Sequence, residues 1–167
     1  LFRSNDNLGT SYALNNIGIL QQNLGRYDEA INYHNQSIAI KQKMNDKQGL
    51  AQSYVNVANI FKIKEEYGKA EEYYTKAVDV SRQLGNKEYL SNALNNLGSL
   101  QQKLKKNKQA KENILESYEL RTALNDTKGK VSCLNNLGDI LMEEGKYDSA
   151  KTVIDKAEVL AKNGINT

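Results

Sequence analysis

The sequence predicts an all-α protein, a right-handed superhelical solenoid built from antiparallel helix pairs in four repeats. Three observations carry that expectation. The chain contains no proline, so nothing in it removes a backbone donor from a helix interior. Strong helix formers (Leu, Ala, Lys, Glu and Gln) dominate the 167 residues. Finally, a block of residues recurs at a fixed spacing, the mark of a repeat architecture.

The recurring block is Leu14-Asn15-Asn16-Ile17-Gly18, which returns as Tyr54-Val55-Asn56-Val57-Ala58, Leu94-Asn95-Asn96-Leu97-Gly98 and Leu134-Asn135-Asn136-Leu137-Gly138, each step 40 residues. This places the repeats at about 10–49, 50–89, 90–129 and 130–167, all within one solenoid covering 1–167. Within a repeat, apolar or small residues at 13, 14, 17, 18, 20 and 24 make one face of a first helix. Tyr27, Ala30, Ile31, His34, Ile38 and Ile40 make the stripe of a second.

The breaks between helices keep the same period. Gly25-Arg26-Tyr27-Asp28 returns as Gly145-Lys146-Tyr147-Asp148, with Tyr67 in the same slot, and Ala30, Ala70, Ala110 and Ala150 follow. A second break falls at Asn45–Gly49 and Asn125–Gly129, and Asn86-Lys87 marks it in the third copy. Gly18, Gly98 and Gly138, with Ala58 in phase, lie inside the first helices, where glycine costs about 1 kcal/mol against alanine. Close approach of the second helix explains them. Ser4–Gly9 matches the inter-repeat linker and Lys162–Gly164 enters another, so the array is expected to continue beyond this chain.

Composition narrows the function. A net charge of +3 and a pI near 8.8 are far from the concentrated positive field that nucleic acid demands. Apolar residues form 39% of the chain, but no run approaches the length of a membrane span, and Leu1–Asn5 lacks the layout of a signal peptide. One cysteine and one histidine exclude an internal disulfide and the usual zinc clusters, so neither metal nor cofactor is expected. The compartment stays open, with the cytoplasm favoured and the periplasm the alternative for a membrane sensor.

These residues resemble the signature of the tetratricopeptide repeat family: a large residue, Leu-Gly, a turn with Gly and Tyr, then Ala on the second helix. The 40-residue period and the Leu-Asn-Asn-Leu-Gly wording are most similar to the variant in kinesin light chain, Leu-Gly-Asn polarity adaptors and bacterial sensor and regulator proteins. Two departures stand out. The family's late proline is absent, and repeat 3 reads Lys105-Lys106-Asn107 where Gly and Tyr are usual, which predicts a different turn there.

The resemblance implies a groove on the first helices that holds an extended peptide or partner helix through asparagines. The candidates are Asn16, Asn56, Asn96 and Asn136, with Asn15, Asn95 and Asn135 beside them. Seven asparagines in helix interiors forgo several tenths of a kcal/mol each, about 3 to 4 kcal/mol together, unless their amides find partners. The competing reading is that they tie neighbouring helices together. Helical offsets add Asn59, Lys62, Ser99, Gln102 and Asp139 to this face, with Tyr12, Ile19, Gln22, Gln52, Asn92, Ser132 and Met142 around them. The lining is polar and nearly neutral, unlike a clamp for a terminal carboxylate.

Other features read as structural. His34 aligns with Tyr74, Ile114 and Ile154, and Cys133 with Ala13, Ser53 and Ala93, so both are expected in the core. Lys103, Lys105, Lys106, Lys108 and Lys111 form a basic cluster at a turn, and Glu65-Glu66, Glu71-Glu72 and Glu143-Glu144 form acidic pairs. All are expected to be solvated. Two glycosylation-like triplets, at Asn35 and Asn125, carry no weight in so asparagine-rich a chain. The predicted function is a non-enzymatic scaffold for a polypeptide partner. The alternative is the input segment of a bacterial signalling protein, with an effector domain linked in the parent.

Overall fold

A computed structural model describes residues 2–164, with side chains from Asn7 to Asn163; residues 165–167, assigned above to repeat 4, lie outside the described residues. Eight helices follow one another: α1 (Phe2–Asn23), α2 (Tyr27–Lys43), α3 (Lys47–Ile63), α4 (Tyr67–Leu84), α5 (Lys87–Lys103), α6 (Asn107–Ala123), α7 (Thr127–Glu143) and α8 (Tyr147–Gly164). They pair as α1 with α2, α3 with α4, α5 with α6 and α7 with α8, the four repeats expected.

Two details of the sequence reading are corrected. Ser4–Gly9 and Lys162–Gly164, matched above to linkers, are helical, inside α1 and α8; the side chains of Ser4, Asn5, Asp6 and Gly164 lie outside the described residues. The repeat 3 turn is also not different. Lys105 takes the left-handed conformation at φ 60°, where the other repeats place Gly25, Glu65 and Gly145 at 73°, 61° and 73°. The same reverse hydrogen bond closes each of these turns, for example Lys106 N to Gln101 O at 2.8 Å and Lys146 N to Leu141 O at 2.9 Å. Two satisfied carbonyls at each helix end offset the roughly 1 kcal/mol or more that a side chain costs in this conformation.

Inter-repeat turns are capped by side chains. Asp46 and Asp126 accept the backbone N–H of Gly49 and Gly129 at 2.9 Å, and Asn86 accepts from Glu88 and Tyr89. The helix-interior glycines are contact points, as expected. A Cβ on Gly98 would stand 2.6 Å from Ile114 Cγ1, one on Gly138 2.8 Å from Ile154 Cγ1, and one on Gly18 2.8 Å from the His34 ring.

The contacts divide the chain into two compact units, Leu1–Gly85 and Asn86–Thr167, each holding two helix pairs. In the first, Ala58, Ile60, Ala70, Tyr74 and Ala77 are fully buried; in the second, Leu100, Ala110, Ile114 and Ile140 are buried. The stripe expected on α1 is covered only in part, with Leu20 55% and Leu24 56% exposed. α1 packs on α2 and α3, whereas Ile60, which holds the slot of Leu20 in α3, lies in the core.

Candidate peptide-binding face and its buried supports

The structure separates the asparagines into three kinds. Asn15 and Asn95 are buried hubs. Asn15 Oδ1 lies 3.4 Å from the Asn56 amide nitrogen, 3.5 Å from Ser53 Oγ and 3.1 Å from His34 Nδ1. In the second unit Asn95 Oδ1 accepts from Asn136 at 3.0 Å, and the Asn95 amide donates to Ser132 Oγ at 3.4 Å. Asn56 and Asn136 are thus half-buried donors that each commit one N–H to the preceding repeat's first helix. Asn16 and Asn135 are exposed and Asn96 half-buried, and none of the three has a protein hydrogen-bond partner among the described residues.

The neighbouring candidates divide in the same way. Asn59 is half-buried and accepts the Tyr74 hydroxyl proton; burial raises the Tyr74 pKa to about 12, so the phenol stays a donor. Gln102 donates to Glu143 at 3.3 Å. Lys62 and Ser99 are half-buried, and Asp139 is exposed. Within each unit, the open amides, Asn16 in the first and Asn96 and Asn135 in the second, can donate and accept at once, as an extended backbone requires.

Behind this face lies a polar core that the sequence reading did not single out. In the first unit Lys41 is 1% exposed, donates to Ser53 Oγ at 2.8 Å and lies 5.5 Å from the Tyr12 ring centroid. Burial lowers its pKa, and Asp46 pulls it partly back. His34 is fully buried as expected, and its pKa is pushed down to about 4 by burial and by Lys41. Since an amide oxygen only accepts, the contact with Asn15 puts the proton on Nδ1. Nε2 is left buried with no partner among the described residues.

The second unit solves the same slot with Arg121, which donates to Asp126 at 2.6 Å, Asn92 at 2.7 Å and Ser117 at 3.2 Å. Burial opposes the Asp126 charge, but the Gly129 N–H and Arg121 hold its carboxyl below the usual range. Cys133 is 1% exposed, as expected, and donates to Ser117 Oγ at 3.3 Å. Gly49 and Gly129 make room for these cations, since a Cβ on Gly129 would stand 1.8 Å from the Arg121 guanidinium. A signal existed at an offset of 80 residues: Lys41 and Arg121 alternate with Ser81 and Ala161, and Ser37 and Ser117 with Ala77 and Ala157.

The charged pairs stay largely in contact with solvent, and several of them are also ion-paired. Glu143 meets Lys105 at 3.0 Å, Glu144 binds Lys111 and Lys146 at 2.6 and 2.8 Å, Glu66 binds Lys64 and Lys69, and Glu72 binds Lys76. Two lysines of the basic cluster are therefore engaged by the following repeat. Among the described residues no group of three or more His, Cys, Asp or Glu is arranged to hold a metal, and no helix is long and apolar enough to cross a membrane.

Sequence models described as tetratricopeptide repeat match residues 13–48, 49–123 and 131–163. No curated protein matches the sequence. Among solved structures, BtubC (BKLC) from P. vanneervenii aligns with a TM-score of 0.84 at 21% identity, over 93% of this chain and 64% of that one. The apo form of RapI aligns at 0.89 and 16% identity, over 95% and 44%. A Rap protein complexed with Competence and Sporulation Factor aligns at 0.81 and 20% identity, over 94% and 44%. At these identities the likeness is one of fold, and the chain spans less than two thirds of each of these proteins.

Proposed function

The chain belongs to the tetratricopeptide repeat family, and from that premise we propose that it is an interaction scaffold whose first helices hold an extended peptide or partner helix. The observation that supports this most is the set of polar groups left open on that face. Asn16, Asn96 and Asn135 lack protein partners, while the amides beside them are fixed by buried bonds. A helix-interior asparagine without a partner costs stability, and hydrogen bonds to a bound backbone would offset that cost. That a structurally similar Rap protein is known in complex with a factor supports a partner for this fold. The same likeness supports a second reading, in which the array is the input segment of a signalling protein and partner binding controls a linked effector. No catalytic role is assigned to any residue, and the 40-residue period running through both units supports one continuous array.

The test is an array of unstructured peptides probed with the intact chain and with a variant carrying Asn16→Ala and Asn96→Ala. Binding to a defined subset, lost in the variant at a melting temperature no lower than the parent's, is expected. Equal binding by both proteins would remove the open amides from the account.

A further inference from the structure

A cavity of about 290 Å³, open at its mouth, lies between α6, α7 and α8 of the second unit, with Cys133 and Leu134 among its lining on α7 and Tyr118 on α6. Its existence follows from two substitutions at the 80-residue offset. The first unit has Tyr54 and Tyr73 where the second has Leu134 and Val153. The two rings lie 6.0 Å apart, and Tyr73 also packs 5.5 Å from Phe61. Smaller aliphatic side chains at both slots leave open the space that those rings occupy.

The mouth carries a cation. In the first unit the corresponding lysine, Lys76, is paired with Glu72 at 2.6 Å and lies 4.8 Å from the Tyr73 ring. In the second unit Thr152 replaces that glutamate, and its hydroxyl donates to Asp148 O at 2.9 Å. Lys156 rests 5.0 Å from the Tyr118 ring and has no carboxylate partner among the described residues. An apolar cavity with one uncompensated ammonium at its edge selects for a ligand with an apolar body and an anionic head.

We propose that this cavity binds a small amphiphilic carboxylate, an aliphatic acid whose chain enters between Leu134 and Val153 and whose carboxylate pairs with Lys156. Burial of the chain removes apolar surface from water on both sides, and the ion pair fixes the direction of entry. None of the asparagine-face residues takes part, so the site stands independently of the peptide reading.

The chain carries its own reporter, since Cys133 is its one cysteine and lines the cavity. Octanoate is titrated against the full chain while a small neutral thiol reagent modifies Cys133. Saturable protection of about tenfold is expected once the ligand is well above its dissociation constant. Leu134→Tyr with Val153→Tyr, which copies the first unit, is expected to abolish protection. Lys156→Gln, or Thr152→Glu, which gives Lys156 the partner Lys76 has, is expected to weaken octanoate about tenfold and leave octanol unchanged. Absence of saturable protection in the parent chain, or octanoate affinity unchanged in both Lys156→Gln and Thr152→Glu, overturns the proposal. Equal protection in the filled double variant, with native helical circular dichroism, does the same.

Discussion

The unit Leu1–Gly85 buries Lys41 against a serine and a neutral histidine, while Asn86–Thr167 buries Arg121 against Asp126, Asn92 and Ser117 in the same slot. The surrounding scaffold is shared: Ser37 and Ser117 donate to the carbonyls of Ser11 and Ser91 at 2.6 and 2.7 Å, and Asp46 and Asp126 cap α3 and α7 alike. The difference lies in geometry. A guanidinium presents several donors in a planar fork and reaches the capping aspartate, whereas an ammonium at the end of a flexible stem does not span the same partners. In the first unit Asp46 Oδ2 is consequently buried with no partner, although it contributes to the field at Lys41.

The largest expected contrast comes from pH, which acts on the first unit through His34; Ile114 fills that slot in the second. The folded pKa of about 4 lies below the ordinary 6.5, so as pH falls the unfolded chain takes up the proton first. Stability from this group is full above pH 6.5 and declines until about pH 4, a loss of about 3 kcal/mol. Urea titrations across this window should show the loss in the parent chain and a flatter profile in His34→Ile.

Next come the capping aspartates. Asp126→Ala removes a cap and the carboxylate partner of a buried guanidinium that keeps Asn92 and Ser117, and is expected to destabilise α7 by about 2 to 3 kcal/mol. Asp46→Ala removes mainly the cap, and about 1 kcal/mol is expected at α3. Amide hydrogen exchange of the two helices reads the difference, and equal losses would break the distinction between the units.

Smaller effects sharpen the same comparison. Lys41→Met replaces a buried cation held by one neutral hydrogen bond, and a gain of about 1 to 2 kcal/mol is expected. Asn15→Ala is expected to cost about 1 to 2 kcal/mol, because it leaves His34 Nδ1 without its acceptor. Asn16→Ala is expected to gain about 0.5 kcal/mol from helix propensity alone. Thermal melts of the three variants order these effects.

The helix pairs, the places of the turns between them and the glycines facing the second helices were legible from the 40-residue period, whereas the ends of the array were not: Ser4–Gly9 and Lys162–Gly164 match linkers in composition yet continue α1 and α8. The repeat 3 turn was misread because glycine's absence was taken to bar a left-handed residue, and Lys105 occupies that conformation. The asparagines were read as one face. Consecutive helix residues point about 100° apart, so Asn15 turns into the junction while Asn16 stays open. Lys41 and Arg121 were passed over because a long cation near the end of a helix reads as surface. Only a comparison at two periods, where each alternates with Ser81 or Ala161, marks them as core.

Side-chain amide resonances test the central claim most directly: the open asparagines contact a partner while the buried ones hold the fold. With a peptide selected from the array, the Asn16, Asn96 and Asn135 amide signals should shift on titration, and those of Asn15 and Asn95 should stay in place. Shifts confined to Asn15 and Asn95, or a bound peptide that moves none of the five, would contradict it.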